Sequence, residues 1–187
     1  MGSYSPELVR QTEEPDAFPF RKGAQCGAIC WRFGSDVTIE VLLISSGDTD
    51  YWAIPKGDIR RHELQYRCAQ RQALEKAGVT GRIGKMPIGH YSHRSSPSWN
   101  PLAVLVHLLF VEAEIKDFRP QSGRQCVWLS AGKARDVVRE PELKELLGLI
   151  ESDNAPKFIT NIRKMQSARR TIQTSSEMQL QAPSPTS

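Results

Sequence analysis

Residues 57–79 read GDIRRHELQYRCAQRQALEKAGV, from Gly57 to Val79. From about Leu64 to Ala77 the residues Ala69, Ala73 and Ala77 recur every fourth position, with Cys68 beside them. That period is helical, and Gly78 is a natural stop because glycine enters the left-handed conformation without steric cost. The small side chains form a narrow stripe, which lets such a helix lie close on a sheet. Gln72, Glu75 and Lys76 are polar, and the latter two stand three and four residues beyond Gln72, so the three share a helical face. The stretch predicts a polar loop feeding a helix that aims several polar groups at one point.

The sequence before the loop predicts strands. Gln25–Phe33 and Val37–Ser45 are rich in β-branched and apolar residues, and Gly34-Ser35-Asp36 between them reads as a hairpin turn. A second turn, residues 46–50, leads to a short strand from Tyr51 to Ile54, which Pro55-Lys56-Gly57 is expected to stop. Beyond the helix, Gly81–Ser92 reads as one strand and residues 94–101 as a loop. Leu102–Ile115 follows as a strand apolar enough to be buried on both faces. Cys126–Leu129 is a further strand. Ser130–Val138 and Glu140–Glu151 read as packing helices, the second carrying Leu143, Leu146, Leu147 and Ile150 at helical spacing. This mixture predicts an α+β fold, a sandwich around a mixed sheet.

The spacing Gly57, five residues, Glu63, seven residues, Arg71 resembles the box of the Nudix hydrolase family, Gly-x5-Glu-x7-Arg-Glu-U-x-Glu-Glu-x-Gly-U, with U aliphatic. Of its seven fixed identities Gly57, Glu63, Arg71, Glu75 and Gly78 match, and Val79 fills the last aliphatic position; Gln72, Ala73 and Lys76 depart from it. The segments GAICWRFG, VLLISS and YWAIPKG before the box, and REPELKELL after it, are similar to the diphosphoinositol polyphosphate and dinucleoside polyphosphate branch. The resemblance spans roughly Gln25 to Ile150 and implies a Nudix-type α/β/α sandwich around a mixed β-sheet.

It also implies a chemistry. In active members, carboxylates on the box helix hold Mg²⁺ or Mn²⁺, which neutralises a diphosphate and activates water. Glu63 and Arg71 then fix the loop on the helix, the Gly57 carbonyl joins the metal shell, and Glu75 is the remaining core ligand. Gln72 keeps the shape of glutamate without its charge, and Lys76 places a cation at a ligand position. At an effective dielectric near 20 and about 4 Å, one like-charge contact costs on the order of 4 kcal/mol. A further family carboxylate aligns with Gln121 in Phe118-Arg119-Pro120-Gln121, so any replacement would have to come from elsewhere, such as Glu112 or Glu114. Lys56, Arg60 and Arg61 crowd the box entrance, where with Lys76 they could bind phosphate or form a solvated charged loop. His90 and His93 carry the same two readings, while His107 sits in an apolar strand and reads as a core residue.

Two functions stay open. One is a diphosphate-bond phosphohydrolase of nucleoside or inositol polyphosphate type with a reduced, Mg²⁺- or Mn²⁺-dependent site, in which Glu63, Arg71, Gln72 and Glu75 serve catalysis. The other is an inactive Nudix-fold protein, without a metal, binding a phosphorylated small molecule or a partner. The chain has 187 residues and net charge +4, from 25 basic and 21 acidic residues, which decides little between them. No apolar run is long enough to span a bilayer, the N-terminus lacks a secretory signal, and the four cysteines lack zinc spacing, so a cytoplasmic setting is expected. Residues 1–22 read as a flexible arm, 23–152 as the Nudix domain and 153–187 as a basic, then Ser/Pro/Thr-rich, disordered tail. The basic stretch Phe158–Arg170 reads as a solvated terminus in preference to a nucleic-acid contact, and the oligomeric state is left open.

Overall fold

The computed structural model describes residues 24–35, 38–45, 51–94, 101–119, 124–152 and 155–180, the last twelve as backbone only. The arm at 1–22, Gln121 and the end of the tail lie outside the described residues. Eight strands form one sheet. β1 (Gln25–Phe33), β2 (Ile39–Ser45) and β3 (Trp52–Ala53) are followed by β4 (Lys56–Asp58), and α1 (Gln65–Ala77) by β5 (Val79–Ile83), β6 (Gly89–His93) and β7 (Leu102–Glu114). β8 (Cys126–Ser130) leads into α2 (Ala131–Val137), α3 (Pro141–Glu151) and α4 (Lys157–Leu180). The central order is β3-β2-β1-β7-β5, with β4 on β1, β6 on β7 and β8 on β2. β1 and β7 run parallel and every other pair antiparallel, so the sheet is mixed as the sequence predicts.

Alternation along β1 builds two cores. Cys26, Ala28 and Cys30 face α1, meeting the helix stripe of Cys68, Ala69, Ala73 and Ala77. Ile29 and Trp31 face the other way, into a cluster shared with Ala134 of α2, Leu143 and Leu147 of α3, and Ile159 and Ile162 of α4. The result is one helix on one face and three on the other. The basic piece expected at Phe158–Arg170 is thus tied to the core through two isoleucines that are 0% and 4% exposed. Each contributes about 1.5–3 kcal/mol when fully buried.

One expectation holds in part and one is corrected. The short strand stops before Pro55 as expected, β3 ending at Ala53, but Lys56, Gly57 and Asp58 then form a further strand, β4, that pairs with Gly27, Cys26 and Gln25. Pro55 lacks only its N–H, and its carbonyl still accepts from Ala28 N at 3.0 Å. The single strand expected over Gly81–Ser92 is two, β5 and β6, both pairing with β7 but separated at residues 84–88. Gly84 N bonds Leu108 O at 2.8 Å and Ile88 N bonds Val106 O at 2.8 Å, so the intervening residues loop out from one continuous partner. Among the described residues no helix is long and apolar enough to cross a membrane.

Candidate functional site

The loop before α1 is closed by one carboxylate. Glu63 accepts from Arg60 N at 2.9 Å and from Arg71 through a fork, Nε to Oε1 and Nη2 to Oε2, each 2.7 Å. Arg71 Nη2 also donates to the Asp58 carbonyl at 3.0 Å, and His62 takes a left-handed φ of 63° to turn the chain into the helix. Glu63 and Arg71 are 14% and 16% exposed. The Arg71 guanidinium, ahead of the backbone bond from Arg60, holds the Glu63 carboxyl down at about 2, and Glu63 in turn raises Arg71. The ion pair expected to fix loop to helix is therefore in place.

The three polar positions on α1 do not converge as expected. Gln72 is 4% exposed and turns under the loop, so tightly that a Cβ on Gly57 would stand 2.5 Å from its Oε1; that oxygen has no hydrogen-bond partner among the described residues. Glu75 turns outward, accepting from Arg60 Nη2 at Oε1 and from Arg71 Nη1 at Oε2, each at 3.1 Å. Lys76 bends back, and its Nζ donates to the Lys56 carbonyl, one residue before the Gly57 carbonyl expected to serve a metal. The Gly57 carbonyl instead accepts from the Cys68 thiol, at 3.7 Å.

Cations gather around Lys76. Burial first, then the charge of Arg124, lowers the Lys76 ammonium. Burial first, then Lys76, brings Lys56 down to about 8, with Arg124 adding to the effect. Arg124, from the segment entering β8, has a buried Nε without a partner among the described residues. Sequence reasoning missed this residue, since no local pattern marks a lone arginine that long-range pairing of β8 with β2 carries to the box. Arg60 and Arg61 are exposed on the loop, Arg60 committed to Glu75. Glu112 pairs with Arg82 and Glu114 with Arg32, so both candidate replacement carboxylates are engaged elsewhere. Among the described residues no group of three or more His, Cys, Asp or Glu is placed to hold a metal.

Lys56 also joins a second polar group. Its Cβ lies beside Gly27, and its charge acts on Glu140, whose Oε1 pairs with His93 Nδ1 at 3.0 Å. Burial would raise Glu140, yet the His93 bond and the charges of His93 and Lys56 hold it low. His93 is thus a strand residue, 8% exposed and paired, where a solvated loop histidine was one of the two readings. His107 is fully buried with Nδ1 on the Gly84 carbonyl at 3.0 Å, the core role expected.

A mixed sheet between one box helix and three others is the architecture of Nudix hydrolases. A solved Nudix hydrolase from Nitrosomonas europaea superposes with a TM-score of 0.54 at 16% identity, over 68% of this chain and 86% of that one. No family model matches the chain. In sequence it is 30% identical to Nudix hydrolase 18, mitochondrial, of Arabidopsis thaliana, over 64% of this chain and 69% of that protein. It is likewise 30% identical to diphosphoinositol polyphosphate phosphohydrolase 2 of Rattus norvegicus, over 69% of each. The chain belongs to the Nudix hydrolase family.

Proposed function

We propose that the protein binds a phosphorylated small molecule, of nucleotide or inositol polyphosphate type, and holds it without metal-driven cleavage. The observation that carries this is the gathering of Lys76, Lys56 and Arg124 at the box, with the Lys76 ammonium held on the Lys56 carbonyl. Half-buried cations of one sign favour an anion beside them, and phosphate oxygens supply both the charge and the acceptors. A Mg²⁺ or Mn²⁺ cluster needs several anionic oxygens. Of the three box positions only Glu75 is acidic, and both its oxygens already accept from arginine. The donor set does not fit such a cluster. In this reading Glu63 and Arg71 position the loop, Gly57 gives Gln72 room, and Arg60 and Arg61 are the outer phosphate contacts. The ligand-binding unit is residues 23–152, with α4 packed on its core through Ile159 and Ile162, and the buried, free Cys26, Cys30 and Cys68 support a reducing, cytoplasmic setting.

Family membership favours a second reading, a diphosphate hydrolase working with a reduced site around Glu75. A phosphate-release screen over nucleoside diphosphate derivatives, dinucleoside polyphosphates and inositol pyrophosphates, with Mg²⁺ and with Mn²⁺, decides between them. The parent is expected to stay silent while Gln72→Glu/Lys76→Glu gains turnover. Parent activity that disappears in Glu75→Gln would establish the hydrolase instead.

The lowered Lys56 gives a pH signature. Below about pH 8 its ammonium is charged and attracts phosphate; above it the charge is lost. Affinity for a diphosphate diester such as ADP-ribose, whose phosphates keep the same charge on both sides of that point, should therefore fall as pH rises through about 8. Calorimetry across that range, repeated on Lys56→Met, checks this: the variant should show no such step, and a flat parent profile removes Lys56 from the site.

A further inference from the structure

The reading above leaves open what neutralises the phosphates. We propose that the Lys76 ammonium is itself the resident cation of this site, so that phosphates bind against it with no divalent ion required; this rests on the box being a phosphate site. Four observations converge on it. Lys76 is anchored, its Nζ donating to the Lys56 carbonyl, so the charge is held at the glycine turn instead of swinging into solvent. An ammonium has three N–H donors, and with one on that carbonyl two remain for phosphate oxygens. Gln72 offers only a neutral amide oxygen, buried and without a donor. Glu75 is neutralised by two arginines, Arg60 and Arg71.

The electrostatics disfavour the alternative occupant. A divalent ion at the Lys56 carbonyl would face Lys76, Lys56 and Arg124 together, with Asp58 as the one nearby carboxylate, among the described residues, that is not already in an ion pair. The same three charges are favourable to a diphosphate. Lysine thus takes over the neutralising role of a metal but not its capacity to deprotonate water, since an ammonium has no open coordination position. Binding without cleavage is the direct chemical result.

The test separates the cation from the ligand. Manganese titration followed by the spin-resonance signal of free Mn²⁺ needs no phosphate compound: the parent should leave the signal unchanged, and Gln72→Glu/Lys76→Glu should deplete it. Mn²⁺ binding to the parent, abolished by Glu75→Gln, would overturn the proposal. Calorimetry with ADP-ribose and with inorganic pyrophosphate then compares EDTA with Mn²⁺. The parent should bind at least one probe with affinities within about twofold in the two media, and Lys76→Met, which keeps the buried stem, should weaken binding in EDTA by at least about tenfold. Binding by the parent only in Mn²⁺, or an unchanged affinity in Lys76→Met, would also overturn it. If neither probe binds in either medium, the phosphate-site reading fails, while the manganese titration still decides whether Lys76 excludes a metal.

Discussion

Arg71→Ala is expected to destabilise the fold by about 3 kcal/mol, read as an earlier urea midpoint with an unchanged slope. The change leaves the Glu63 carboxylate, 14% exposed, without its fork, and frees the Asp58 carbonyl from its guanidinium bond. The same contacts set the acid behaviour. Glu63 is held at about 2 against an ordinary 4.5, and at 1.36 kcal/mol per pH unit that difference is again about 3 kcal/mol. The sign follows from the depressed value: the stabilisation is full above about pH 4.5 and is lost as pH falls from there through about 2. The gap between parent and Arg71→Ala should therefore narrow across that window. A gap of constant size from neutral to acid pH would show that the fork contributes through packing and not through charge.

Gly81→Ala is expected to be worse, costing more than about 3 kcal/mol and lowering the melting temperature by roughly 10 °C. β5 slips register against β7 between Thr80 and Gly81, and this bulge brings the backbones together. A Cβ at Gly81 would lie 1.9 Å from the Phe110 carbonyl oxygen and 2.9 Å from Glu112 N. Those are backbone atoms of the central long strand, with no rotamer to escape into. Gly84→Ala is the matched control, because its nearest neighbour, Phe158, stands at 3.5 Å in ordinary contact. It should change stability by less than about 1 kcal/mol, and comparable melting curves for the two variants would refute the bulge argument.

The helix and its Gly78 stop were legible because each is local, a period of four and a glycine at φ 65°, whereas the Glu63–Arg71 clamp was implied by the resemblance to the Nudix box. β4 was not legible, since Pro55 suppresses strand propensity locally while β1 supplies the partners from far upstream. The division of β5 from β6 was hidden for the same reason, being set by where β7 offers bonds. At the site, residue identities could be read but directions could not. Sequence placed Gln72, Glu75 and Lys76 together, whereas Gln72 turns beneath Gly57 and Glu75 is drawn outward by arginines. Arg124 and Glu140 reach the box region only through the assembled sheet, and nothing near them in the chain signals it.

Lys56 is engaged through two different parts of one residue, its carbonyl by Lys76 and its ammonium by the field of Glu140. A substitution at position 56 therefore removes only the side-chain engagement, whereas the carbonyl that accepts from Lys76 belongs to the backbone and survives any change of side chain there.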